Sequence, residues 1–246
     1  MGTAIIGLLA GLMIGCVGIG GVIVVPALVY ALGIPIQTAI AAAMMGYIPT
    51  GLIGAIIYAR KKSFRWELAG WICAGAIPAA FFGAWIGNVL DAQLLELGVG
   101  LLGISSGIYI LLGSHSSGTE PEPSSRTVLV VMGVVTGTLS ALTGTSGPLV
   151  LMPILFWCRF PVLVAIGLSQ AIQIPIAILA TAGNLVYGEA DIRMGILLGI
   201  CLMIGTWQGA QIAHQVPHTM LERIAAVVLL VVGTLIIGKL AYFQFA

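Results

Sequence analysis

The sequence predicts an all-α polytopic membrane protein built from two homologous four-segment repeats, each opening with a glycine-broken helix. Three observations predict it. The first is charge: 60% of the 246 residues are hydrophobic, and only 9 Lys/Arg and 8 Asp/Glu are present. A soluble domain carries about a quarter charged residues, so this chain must face lipid. The second is the length of its uncharged stretches. The first charged residue is Arg60, and residues 68–90, 97–119, 127–158 and 194–221 carry none. About 20 apolar residues cross a 30 Å hydrocarbon core, whereas a membrane β-barrel would alternate polar and apolar residues in short segments. The third is internal repetition. At an offset of 126 residues Gly7, Gly11, Gly18 and Gly21 fall on Gly133, Gly137, Gly144 and Gly147. Pro35 and Pro49 fall on Pro161 and Pro175, and Leu95-Glu96 on Leu221-Glu222. Pro26 and Pro153 match after a one-residue slip. Gly and Pro set backbone conformation, so their agreement at one offset carries more weight than matched apolar residues.

The elements follow in order. Residues 1–113 form a first transmembrane repeat, 114–126 (SHSSGTEPEPSSR) a polar linker, and 127–246 a second repeat. The N-terminus lacks a basic n-region and reads as part of the first segment. Apolar segments are expected near 4–32, 36–59, 68–89 and 93–112, then 128–158, 162–187, 194–214 and 220–243. The first of each set is too long: residues 4–32 as one helix would span about 43 Å. Split at its glycines, each piece has about 13 residues, roughly 20 Å. Arg60, Lys61, Lys62 and Arg65 form the dense basic loop and should be cytoplasmic. Charge counting does not decide between parallel and inverted repeats. Inversion is preferred because the half-helices are short and an inverted repeat supplies a two-state mechanism.

Paired interrupted segments at corresponding positions point to a transporter's substrate site. A helix N-terminus leaves backbone N–H groups unpaired, which is costly in hydrocarbon, and its dipole favours an anion. The candidate substrate-binding residues are therefore Gly18, Gly20, Gly21 and Val22 at the first break, and Gly144, Thr145, Ser146 and Gly147 at the second. Val22 is expected to start one half-helix, and Pro148 suits the first turn of the other. Ser169, Gln170 and Gln173, on the next segment of the second repeat, complete the set. Gly7, Gly11, Gly15, Gly133 and Gly137 read as packing glycines. Glu96 and Glu222 read as helix-start charges. Cys16, Cys73, Cys158 and Cys201 form no CxxC pair and read as small buried hydrophobes. No metal site, cofactor motif or catalytic constellation is found, so the expectation is not an enzyme, and the net charge of +1 gives no case for nucleic acid.

GIGGVIVVP followed by GIPIQTAIAAA, and GTSGPLVLMP followed by RFPVLVAIGLSQA, resemble the TauE/SafE sulfite exporter family over nearly the whole chain. The resemblance implies export of sulfur oxyanions or organosulfonates. By position, Gly18, Gly20 and Gly21 match the first family motif, Gly144, Ser146 and Gly147 the second, and Ser169 the polar position of the second-helix motif. The half-one counterpart of Ser169 is Ala43, where relatives often carry a hydroxyl, and this shifts weight to half two. The expectation is a secondary transporter of small sulfur-containing anions, multi-pass in the plasma (inner) membrane. The partners are that anion and the lipid bilayer, and a homodimer is left open. An anion channel using the same site and a sulfur-relay protein working through Cys16 are the alternatives.

Overall fold

The structure, a computed structural model, describes residues 2–86, 92–112, 125–143, 147–187 and 191–245. Among these residues every regular element is helical. The first half holds α1 (Gly2–Val17), α2 (Gly21–Pro26), α3 (Ile36–Arg60), α4 (Trp66–Ile86) and α5 (Ala92–Leu111). A π-helical turn at Ala27–Ala31 prolongs α2. The second half holds α6 (Arg126–Thr143), α7 (Pro148–Trp157), α8 (Val162–Tyr187), α9 (Ile192–Ala213) and α10 (His218–Phe245). The helices of the two halves correspond in order. Gln37–Arg60, Val162–Leu185, Ile192–Ala213 and His218–Gly238 are long and apolar enough to cross a membrane. Leu9, Phe81, Leu101 and Leu235 are more than half exposed, as a lipid-facing surface requires.

The expected break falls in both long first segments, but the pieces are unequal. α1 has 16 residues and α6 has 18, while the returning α7 has 10. The first limb runs on until Gly18 and Gly20 stop it. The second helix of the first break begins at Gly21, one residue before the expected Val22. Gly18 closes α1 in the left-handed region, φ +84°, where a side chain would be strained. Its N–H returns to the Ile14 carbonyl at 2.8 Å. The chain then folds back on itself. Gly20 lies against the backbone of Ala10 and Ile14, and Leu32 returns to cover Gly2. The first segment is thus a hairpin whose two ends share one end of the bundle.

Small-residue seams hold the hairpins in place. Along α1, Gly7 meets Leu198 and Cys201, Gly11 meets Leu202, and Gly15 meets Thr206 and Ala210, so α1 and α9 run in the same direction. Along α6, Gly133 meets Ile72 and Gly137 meets Ala76, so α6 runs with α4. This is one seam built twice, exchanged between halves, and the packing reading of these glycines holds. A Cβ at Gly11 or Gly133 would overlap the facing carbonyl, so the backbones approach as closely as small residues permit. The matched central helices instead cross antiparallel: Tyr47 meets Gln173, Gly51 meets Ile174, Gly54 meets Gln170 and Tyr58 meets Gly167. Likewise Gly100 of α5 meets Ile237 of α10, and Gly107 meets Leu230. Tyr47, Tyr58, Phe156 and Phe160 are the largest side chains filling the centre.

One end of the bundle is basic. His214, at the end of α9, reaches Ser63 at 3.2 Å. Arg126, at the start of α6, lies 3.8 Å from Glu67 and stacks 5.2 Å over Trp71. These contacts gather Arg60, Lys61, Lys62, Arg65, Arg126, Arg159 and Arg223 at that end, while Arg193 opens α9 at the other. Arg159 takes a left-handed backbone, φ +59°, just past α7. Its counterpart 126 residues earlier is Gly33, φ +66°. A non-glycine residue there costs about 1–2 kcal/mol. Arg159→Gly should therefore raise the unfolding free energy by about 1 kcal/mol, seen as a higher melting temperature in detergent. A lower one would assign the Arg159 side chain a stabilising contact.

Candidate functional site

The site is organised by α3 and α8, which cross between the two breaks. On α3, the Tyr47 hydroxyl donates to the Gly21 carbonyl at 2.6 Å and the Tyr58 hydroxyl to the Gly15 carbonyl at 2.9 Å. The two tyrosines stand three turns apart on one face and tie both limbs of the first hairpin. On α8, Gln170 Nε2 donates to the Ile14 carbonyl at 2.7 Å, and Gln173 Nε2 to the Tyr47 carbonyl at 3.3 Å. The last turn of a helix leaves carbonyls without partners, and in an apolar interior each needs a donor. At the end of α1, Gly18, Tyr58 and Gln170 supply them. A residue of the second half thus completes the break of the first. Gly18 itself lies beside Ile166 and Met152.

At the second break Gly147 precedes Pro148, which stands in the first turn of α7 as expected. The Val150 and Leu151 N–H groups both return to the Gly147 carbonyl, at 3.1 and 3.0 Å. A Cβ at Gly147 would stand 2.8 Å from Ile176 Cδ1 and 3.3 Å from Ile172 Cγ2. Gly144, Thr145 and Ser146, and most of the 114–126 linker, lie outside the described residues. Ser169 is fully buried and its hydroxyl has no hydrogen-bond partner. It lies on α8 between the residues that meet the first break, Ile166 and Gln170, and those that meet the second, Ile172 and Ile176. Gln170 Oε1 is also buried and unpartnered. Of the sequence-predicted residues, the structure therefore brings Gly18, Gly20, Gly21, Gln170 and Gln173 together around the first break, and Gly147 beside the same helix α8. Val22 is half-buried within α2.

Sequence reasoning missed four residues here. Tyr47 and Tyr58 are not among the candidates, although at the 126-residue offset they correspond to Gln173 and Asn184, which was the available signal. Thr136 and Ser140 on α6 are buried hydroxyls without partners. Their four-residue spacing in an apolar helix was the signal for them. The cysteine reading needs correction at two positions. Cys16 and Cys201 are buried, but Cys73 is half-buried and Cys158 is exposed, because Cys158 caps the end of α7. Glu222 lies in the second turn of α10.

Every buried polar residue among those described is uncharged: Thr50, Ser106, Thr136, Ser140, Ser169, Gln170, Gln173, Thr181 and Thr206. Neutral donors and a helix N-terminus near a helix crossing can stabilise an anion without a lysine or arginine.

A helical bundle with apolar helices of membrane-spanning length and two interrupted segments packed against its central helices has the make-up of a multi-pass membrane protein. The chain belongs to the Sulfite exporter TauE/SafE family, whose model matches residues 3–236. It is similar to the probable membrane transporter protein YdhB of Bacillus subtilis, 25% identical over 87% of this chain and 90% of that protein. A probable membrane transporter protein of Methanocaldococcus jannaschii is 24% identical over 93% of this chain and 92% of its own length. One from Xylella fastidiosa is 32% identical over 48% of this chain and 46% of its own length. No solved structure matches the chain.

Proposed function

We propose that this protein is a secondary transporter that exports small sulfur-containing anions, such as sulfite or an organosulfonate, across the plasma membrane. The observation that carries the reading is that both breaks abut the α3–α8 crossing, where all described buried polar groups are neutral. The anion sits at the half-helix N-termini, with Gly18, Gly20, Gly21 and Val22 on one side and Gly144, Thr145, Ser146 and Gly147 on the other. Ser169, Gln170 and Gln173 stand between them. The two repeats, 1–113 and 127–246, are inverted in the membrane with the basic end cytoplasmic. The antiparallel course of α3 against its counterpart α8, and of α5 against α10, supports inversion. Rocking of one repeat against the other then exposes the site alternately.

Flux of labelled sulfite into proteoliposomes tests the reading. The unchanged protein should transport it saturably, and Gly147→Leu should abolish flux while the protein still inserts, because Ile172 and Ile176 leave no room. Normal flux in Gly147→Leu would remove the site. Neutralising any one of Arg60, Lys61, Lys62, Arg65, Arg159 or Arg223 should change the affinity by less than about threefold. Those charges lie at the end of the bundle, where salt screens beyond about 10 Å.

A further inference from the structure

Five buried hydroxyls among the described residues have no hydrogen-bond partner: Ser106, Thr136, Ser140, Ser169 and Thr181. Burying a polar group without a partner is costly, and such a group in a folded protein calls for an explanation. Four of the five lie in the second half. Their counterparts 126 residues earlier are Ala10, Ile14, Ala43 and Ala55, so the first half offers no hydroxyl at any of these places. Three of the four stand on the two helices that flank the second break. The Thr136 methyl lies 3.8 Å from the position a Cβ at Gly147 would take. Ser140 follows one turn later on the same side of α6. Ser169 lies on α8, one turn before Ile172, which also meets Gly147. Thr136 and Ser169 are fully buried and Ser140 is 1% exposed.

A hydroxyl can donate or accept. Its neighbours decide which, and here the neighbour is the first turn of α7. That turn carries the positive end of a helix dipole and the Leu149 N–H, since Pro148 has none and the Val150 and Leu151 N–H groups return to Gly147. Donors beside donors satisfy one another only through an acceptor between them. We propose that Thr136, Ser140 and Ser169 are the hydroxyl donors that hold an oxyanion at the N-terminus of α7, so that the second half supplies the side-chain hydroxyls of the site. This rests on the anion-transport reading above and names the groups that do the holding. The ligand is a small anion with several acceptor oxygens. The apolar counterparts Ala10, Ile14 and Ala43 supply no donor across from it. Ser106 is left outside the site, on α5 where it packs with α10.

The test uses the full chain purified in detergent. Melting temperature is followed as sulfite, sulfate, thiosulfate, sulfoacetate or taurine is added, since a bound anion stabilises the fold. Thr136→Val, Ser140→Ala and Ser169→Ala are each expected to weaken sulfite binding about tenfold, about 1.4 kcal/mol, and to raise the melting temperature without anion. Ser106→Ala should raise the melting temperature alike and leave the affinity unchanged. Three variants that bind sulfite as tightly as the unchanged protein would overturn the inference and leave the transport reading standing. A lower melting temperature without anion, or loss of monodispersity, in all three would make the hydroxyls structural and overturn it too. No stabilisation of the unchanged protein by any of the five anions would overturn the transport reading, and this inference with it.

Discussion

Gly20→Ala should be strongly destabilising, in the same class as Gly11→Ala, Gly15→Ala and Gly75→Ala, where a Cβ would likewise overlap a facing carbonyl. A Cβ at Gly20 would overlap the Ala10 carbonyl and stand 2.7 Å from both the Ile14 nitrogen and Met13 Cβ. Two of these three neighbours are backbone atoms of α1, which is itself locked against α9 by Gly7, Gly11 and Gly15. Neither limb can yield without opening the hairpin. Overpacking of a core ordinarily costs about 1–3 kcal/mol. A clash with fixed backbone on a closed hairpin belongs to the rarer class above about 4 kcal/mol. Thermal unfolding in detergent should show Gly20→Ala strongly destabilised or unable to fold. Gly70 in α4 and Gly183 in α8 provide the contrast, since a Cβ at either meets nothing within 4 Å. Alanine at those positions should be neutral or stabilising by up to about 1 kcal/mol, because glycine inside a helix carries an entropic penalty. Equal behaviour of Gly20→Ala and Gly70→Ala would contradict the hairpin.

Gln170→Leu should also have a large effect, and it should fall on transport as well as on stability. Gln170 belongs to the second half, yet its amide serves the Ile14 carbonyl of the first at 2.7 Å. Its side chain also lies hard against Gly54 on α3. Leucine keeps most of the volume and removes the donor. The Ile14 carbonyl keeps the Gly18 N–H at 2.8 Å, so the direct loss is one hydrogen bond, about 0.5–1.5 kcal/mol, together with the tie between the two halves. Sulfite flux should fall at least about tenfold, because a misplacement near 1 Å at a binding constellation can cost a factor of a hundred. Gln173→Leu is expected to do less. Its bond to the Tyr47 carbonyl is longer, 3.3 Å against 2.7 Å. Gln170→Leu combined with Tyr58→Phe should be non-additive, since both side chains serve the last carbonyls of α1. Unchanged flux in Gln170→Leu would show that the residue only links the halves.

Much of the architecture could be read from residue types alone. Gly18 and Gly147 stand at breaks because a chain that must stop a helix within an apolar run uses glycine, and Pro148 starts a helix because its missing N–H is harmless in a first turn. The glycines at four-residue intervals, Gly7-Gly11-Gly15 and Gly133-Gly137, announce a close helix contact on one face. These features are local. They follow from backbone preference and from what lipid tolerates, so a 126-residue offset in Gly and Pro exposes the repeat without any knowledge of contacts. Membership of the family was legible for the same reason, since its motifs are glycine and proline in apolar context.

Other features rest on neighbours far away in the chain. The glycine stripe of α1 does not say that its partner is α9, some 190 residues on, rather than a helix of its own half. Nor does it show that α6 repeats the arrangement with α4. Tyr47 and Tyr58 look like apolar filling until their hydroxyls are seen to end on Gly21 and Gly15. Thr136, Ser140 and Ser169 differ from Thr50 and Thr206 only in what surrounds them. Thr50 returns its proton to Gly46, and Thr206 gives its proton to Gly11, whereas the other three have no partner. The sequence by itself determined the membrane class, the duplication and the places where helices break, because each is a property of backbone preference and lipid exposure. Only the tertiary structure decided which of the described polar groups are satisfied and which are left without a partner. A hydrogen bond is a matter of distance between helices, and in an apolar chain almost every helix face could pack against any other.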